Sequence, residues 1–291
     1  MKLGDLAALM LLGVLWGASF IFIRVAVPEV GPLTLMGLRV GLAASALILY
    51  AVLARRQLGL RGRWRQFLFL GAVNSALPFT LIAFAEIQLT ASLASILNST
   101  TVLFSAVVSA IWLGTTLTVQ KVIGVVTGLI GVAALVGWDP IPLNLPVLVS
   151  VGAMLLASLS YALGANYVKR NFSGVPPLGM AIGQQTAATG ILIVPATVAA
   201  PVSSPSDVVI VCVLGLAVFS TAAAYLLYFR LIENVGPTST VTVTFLVPVF
   251  GMLFGVVLLG EPFGWGTLAG LGIILLSVAL VTGMLDRRKK P

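Results

Sequence analysis

The chain has 291 residues, of which 59% are hydrophobic and 8% charged, and its mean hydropathy is +1.15. A soluble domain carries roughly 25% charged residues, so this composition excludes a soluble fold and sets the class as an all-α polytopic membrane protein, since a lipid-exposed backbone must satisfy its polar groups internally. Sixteen basic residues stand against eight acidic ones, with a single cysteine, Cys212, and no histidine; an intrachain disulfide is excluded and the commonest metal ligand and general base are missing, so no metal or cofactor is expected.

Asp5 can cap a first helix over about 6–27. Asp5 ahead of the apolar run, Arg24 near its far end and the lack of an A-x-A site argue against a cleaved signal peptide. Pro28, Gly31 and Pro32 make a tight turn before a second helix, about 33–53. The basic connection ARRQLGLRGRWRQ leads to a third helix, about 67–87, with Pro78 inside it. The fourth, about 92–112, carries Ala94, Asn98, Thr101, Ser105 and Ser109 at steps of three and four, which gives an otherwise apolar helix one polar face. An amide such as Asn98 finds no partner in lipid, so this face meets other helices or a water-filled cavity. A fifth helix covers about 120–136. The connector WDPIPLN leads to five more, near 146–168, 178–199, 208–231, 238–259 and 266–285, and the chain closes on DRRKKP.

The ten predicted helices read as two copies of one unit, 1–137 and 146–291. At an offset of 145 residues Trp16-Gly17 meets Tyr161-Ala162, Arg24 meets Lys169, and Pro32-Leu33 meets Pro177-Leu178. At 146, Leu113-Gly114 meets Leu259-Gly260, Gly124 meets Gly270, and the polar face returns as Thr240, Thr244, Val247, Gly251 and Gly255. Five helices per copy is an odd number, so the second copy enters the membrane upside down. Inverted repeats around a central cavity are the architecture of alternating access.

Charge placement orients the chain. With the N-terminus in the cytoplasm, cytoplasmic segments hold Lys2, Arg55, Arg56, Arg61, Arg63, Arg65, Lys121, Lys169, Arg170, Arg230 and the four basic residues at 287–290. The outer half keeps Arg24 and Arg39, a positive-inside distribution with both termini cytoplasmic. The basic cluster at 55–65 reads as a topology signal and headgroup contact, with Trp64 as an interfacial anchor. Nucleic acid is not an expected partner.

Three stretches, LWGASFIFIRV, SYALGANYVKR and LGEPFGWGTLAGLGIILLSVAL, resemble the EamA-type branch of the drug/metabolite transporter superfamily. Within it the chain looks most like bacterial inner-membrane exporters of amino acids, including aromatic amino acid exporters of the YddG kind. The resemblance covers nearly the whole chain. It implies ten helices in two inverted halves, with helices 1, 3, 4, 6, 8 and 9 lining a cavity while 5 and 10 stay behind. The glycines at 124, 128 and 131, and at 266, 270 and 272, suit close packing of those two helices. The expected carrier is a monomer in the lipid bilayer acting on a small-molecule solute.

The acids Asp5, Glu29, Glu86, Asp139, Asp207, Glu233, Glu261 and Asp286 all fall in predicted loops or helix ends. Small multidrug exporters of the superfamily place a carboxylate in the first helix; here that helix offers Trp16, Ser19 and Phe20. A midplane proton relay is therefore not expected. With Arg24 and Arg39 toward the outer side, neither is a central phosphate clamp. Near mid-depth stand Phe79, Asn98, Thr101, Tyr161, Ser220, Tyr225, Thr244 and Phe245. Hydroxyls, an amide and aromatic rings suit a neutral or zwitterionic solute with an apolar side chain. Each also has a structural reading: Asn98 as a bond between helices, the threonines and serines bonded to their own helix carbonyls, Phe79 and Phe245 as core, Arg39 as a partner of Glu86 or Glu29. Pro78 and Pro248 are kinks and candidate hinges. The reading is a secondary transporter exporting aromatic or other apolar amino acids or similar metabolites; a nucleotide-sugar, sugar-phosphate or drug carrier is the alternative. A lipid-modifying enzyme would need an acid–base or metal constellation such as DDxxD, and none is present in the sequence.

Overall fold

The computed structural model describes residues 2–60, 62–138, 144–262 and 264–284. Arg61, Asp139, Asp286 and the basic residues 287–290 lie outside the described residues, as does most of the WDPIPLN connector. Among the described residues the chain forms ten helical rods. In the first half these are α1 (Leu3–Val30), α2 (Pro32–Leu53), α3 (Trp64–Ala85), α4 (Ala91–Leu113) and α5 (Val119–Trp138). In the second half they are α6 (Leu145–Asn171), α7 (Pro177–Val198), α8 (Asp207–Gly236, with further helical turns to Thr240), α9 (Val243–Leu259) and α10 (Trp265–Thr282).

Local chemistry sets the breaks. Gly31 takes φ 71°, a conformation that favours glycine, and Pro32 opens α2 where a missing N–H costs nothing. Thr90 caps α4, its hydroxyl accepting from the Leu93 N–H at 3.1 Å. Gly114 and Gly260, both in the left-handed region, end α4 and α9 at equivalent points of the two repeats.

One expectation is corrected, and two rods carry local departures from the α-helix. The fourth helix is not continuous: it turns at Ser99–Thr100, where N–H groups bond carbonyls three residues back. The Thr100 and Thr101 hydroxyls donate to the Leu97 and Asn98 carbonyls, both at 2.7 Å, and compete with the α-helical pattern there. The third and eighth helices carry π-helical stretches, Ala72–Ala76 and Gly215–Ala223, at corresponding places in the two repeats. Side chains take up carbonyls in these wider turns: Ser160 donates to Val73 O at 2.6 Å, and Thr221 to Leu216 O at 2.8 Å.

The inverted relation is visible in three seams between repeat-equivalent rods. Along α5 and α10, Gly124 meets Val281, Gly131 meets Ile274, and Leu135 meets Gly270. Along α2 and α7, Gly37 meets Ala196, and Gly41 meets Thr189. Along α4 and α9, Ser92 meets Gly255, and Ser95 meets Gly251. Rising numbers on one rod meet falling numbers on its equivalent, so each pair is antiparallel and a pseudo-two-fold axis crosses the bundle. At all of these glycines but Gly41 the rods come close enough that a Cβ would collide with the neighbour, as 2.4 Å from Ser95 Cβ at Gly251.

Eight of the rods are long and apolar enough to cross a membrane, and α9 is apolar but shorter, at 17 residues. The remaining rod, α7, has 22 residues but dilutes its apolar run with Gln184, Gln185 and three threonines. It packs along α2 in the interior seam.

Candidate solute-binding cavity

Consecutive rods alternate in direction, so the bundle has an N-terminal end, where α1 begins, and an opposite end, where α1 stops. Between them lies a cavity of about 480 Å³. Eight of the ten rods contribute to its wall; among the described residues α5 and α10 supply none. The resemblance implied six lining helices. The structure adds α2, through Arg39, and α7, through Met180, Ala181 and Gln184. Both sit inside the two-fold seams, which a count of amphipathic faces does not reveal.

The sequence-derived residues fall as follows. Trp16, Ser19 and Phe20 of α1, Phe79 of α3, and Asn98 and Thr101 of α4 line the cavity. So do Tyr161 of α6, Ser220 and Tyr225 of α8, and Thr244 of α9. Phe245 does not; it is half-buried against the hydrophobic core. Pro78 opens the α-helical turns that follow the first π stretch, and Pro248 lies buried within α9.

The polar face of α4 divides. In the middle of the rod, Asn98 and Thr101 face the cavity. The part nearer its C-terminal end bonds to α6: Ser109 donates to Asn166 Oδ1, and Asn166 Nδ2 donates to the Ser105 carbonyl and hydroxyl. Ser105 and Ser109 therefore join helices. Several lining hydroxyls are spent on their own helices, Ser19 on Trp16 O, Thr101 on Asn98 O and Thr244 on Val241 O. Asn98 Oδ1 and Ser220 Oγ are buried with no hydrogen-bond partner. A buried polar atom left open costs free energy, and a bound solute or water relieves it.

The apolar wall is aromatic. Trp16 and Tyr228 pack with ring centroids 5.5 Å apart, and Phe79 meets Tyr161 edge-on at 6.2 Å. A polar relay that the sequence did not reveal crosses three rods: Asn74 donates to Gln184 Oε1 at 2.9 Å, and Gln184 Nε2 donates to the Tyr225 hydroxyl at 2.7 Å. Nothing in the spacing of Asn74 or Gln184 marks them, because their partners are distant in sequence.

Arg39, read from the sequence as an outer-side partner of Glu86 or Glu29, also stands in the cavity wall. Its Nε donates to Thr221 Oγ1 at 3.0 Å, and its guanidinium lies 3.7 Å from the Phe79 ring centroid. Neither Glu29 nor Glu86 accepts from it: Glu29 takes the N–H and hydroxyl of Ser206, and both Glu86 carboxyl oxygens are without a hydrogen bond.

At the N-terminal end the wall reaches Val168, Met180 and Val241, all close to rod termini. At the opposite end it stops under Ile23 and Ile82, and hydrogen bonds tie the rods beyond them. Arg24 donates to the backbone carbonyls of Glu86 and Ile87. Glu261 accepts from the N–H of Ala91 at 2.7 Å and from the N–H and hydroxyl of Ser92 at 2.9 and 2.6 Å, a carboxylate set on the N-terminus of α4.

An inverted pair of helical repeats closed around one amphipathic cavity is the build of a membrane carrier. Residues 2–137 and again 148–283 match the EamA-like transporter family, and the chain belongs to it: it is a multi-pass membrane transporter and not an enzyme. It is 27% identical to the uncharacterized transporter YvbV of Bacillus subtilis over 272 residues, 92% of this chain and 88% of that one. It is 27% identical to the uncharacterized inner membrane transporter YedA of Escherichia coli K12 over 282 residues, 94% of this chain and 89% of that one. A solved crystal structure superposes with a TM-score of 0.72 over 100% of both chains at 16% identity, a likeness of fold alone.

Proposed function

We propose that the protein exports aromatic or other apolar amino acids, or closely similar zwitterionic metabolites, by alternating access. The observation that carries this reading is the wall of the cavity: aromatic rings, two unpartnered neutral polar atoms, and no carboxylate among the described lining residues. An apolar side chain rests on Trp16, Phe79 or Tyr161, and the polar end of the solute meets Asn98 and Ser220. A lipophilic cation would need an acidic partner in the wall. A nucleotide-sugar would bring a diphosphate to a wall with a single cation among its described residues, which disfavours the alternative. In the same reading all ten rods cross the bilayer, 1–137 and 146–291 are the moving halves, Pro78 and Pro248 lie at their bends, the carrier works as a monomer, and both termini face the cytoplasm of a bacterial cell.

Counterflow in proteoliposomes with a panel of labelled solutes tests this. Liposomes preloaded with phenylalanine, tryptophan or leucine are expected to accumulate the labelled counterpart without an imposed pH or sodium gradient. Exchange of nucleotide-sugars in place of amino acids would reverse the assignment.

A further inference from the structure

We propose that Arg39 is the anchor for a carboxylate on the transported solute. This rests on the cavity being the solute site and narrows the solute to one that bears a carboxylate. Arg39 is the one charged residue among the described residues of the wall, and it is 6% exposed. A guanidinium has five N–H donors; the protein uses the one on Nε, for Thr221. The two terminal nitrogens donate to no described residue, and no carboxylate neutralises the charge by direct bonding.

The surroundings hold the guanidinium in place without satisfying it. Thr221 sits in the π-helical stretch of α8, and its hydroxyl proton is committed to Leu216 O, which leaves its oxygen to accept from Nε. Phe79 supplies a ring face at 3.7 Å. The free edge of the fork matches two carboxylate oxygens in parallel, the geometry in which arginine is most selective. A lone cation balances a monoanion, whereas a phosphate monoester near neutral pH would bring close to two charges to it.

The test uses the full-length protein in lipid nanodiscs, with phenylalanine, 3-phenylpropionate, phenylalaninamide, phenethylamine and phenyl phosphate as probes. Binding is read by thermal protection and by competition. The acids are expected to bind about 10- to 100-fold more tightly than the amide and amine, as for a hydrogen bond to a charged group. R39Q is expected to erase that preference and R39K to keep part of it. T221V leaves the charge but removes its positioning bond, and it should weaken acid binding several-fold without affecting the amide. Should R39Q fail to fold, R39K and T221V decide. An amide or amine bound within twofold of its acid, an unchanged acid preference in the variants, or phenyl phosphate bound more tightly than the acids would overturn the proposal. Uptake of the same probes separates the two readings: phenylalanine and phenylalaninamide carried equally well sinks the Arg39 anchor and leaves amino-acid export standing, and no uptake of any probe sinks both.

Discussion

Glu86, in the connection after α3, is fully buried and neither of its carboxyl oxygens has a hydrogen bond. Burial pushes its carboxyl well above the usual carboxylate range; Glu261 adds to this, and Arg24 and Arg39 oppose it. A carboxyl whose folded pKa is raised contributes its full stability at acid pH and loses it as pH rises through the folded value. The detergent-solubilised protein should therefore lose thermal stability as pH rises above the ordinary carboxylate range, and Glu86→Gln should flatten that decline. Identical pH profiles for the two proteins would rule the effect out. Asn98 makes a second residue-scale case. Asn98→Leu removes the unpartnered amide oxygen while keeping a residue that lipid accepts, so insertion should be normal and transport should fall by at least about tenfold. Loss of folded protein instead would mark Asn98 as an interhelical bond.

Among the elements, α5 and α10 form the tightest test of packing apart from function. A Cβ at Gly131 would sit 2.8 Å from Ile274 Cγ1, and one at Gly128 would sit 2.6 Å from Ser277 Oγ. Gly131→Leu overpacks this seam at a cost of about 1–3 kcal/mol. The yield of folded protein should drop, as seen by size-exclusion chromatography. Counterflow per folded molecule should hold, because neither rod supplies a described residue of the cavity wall. A seam variant with full yield and no transport would tie these rods to the conformational cycle. The π stretches in α3 and α8 contrast with that seam. Both adjoin cavity residues, Phe79 on one side and Ser220 within the other, and a wider turn is a place where a rod bends readily.

For the molecule as a whole, hydrogen bonds tie the rods together at the opposite end of the cavity. Arg24 ties α1 to the connection after α3, and Glu261 ties the end of α9 to the start of α4. Arg24→Ala should shift the balance toward opening at that end. With Cys212→Ala as background, a cysteine at Ile23, which is 1% exposed here, should then react with an impermeant thiol reagent added from that side. Unchanged protection would show that Arg24 does not latch the end. A periplasm-active reporter fused to the C-terminus should stay silent if both termini are cytoplasmic.

Sequence alone determined the class, the rods and the repeat, because each rests on short-range or one-dimensional signals: the length of apolar runs, the glycine and proline breaks, and the recurrence at 145–146 residues. The step of three and four in α4 also marked Asn98 and Thr101 as facing away from lipid. It could not separate them from Ser105 and Ser109, since only the position of Asn166 on α6 decides which hydroxyls are consumed between helices. Tertiary structure alone decided that Arg39 faces the cavity. Near the start of α2 it reads as an outer-side cation, and its exposure to the cavity depends on how α2 lies against α7 and on Thr221, 182 residues away. Pairings over such separations leave no periodic trace in the chain, so the chemistry at the wall of the cavity appears only once the two repeats have closed on each other.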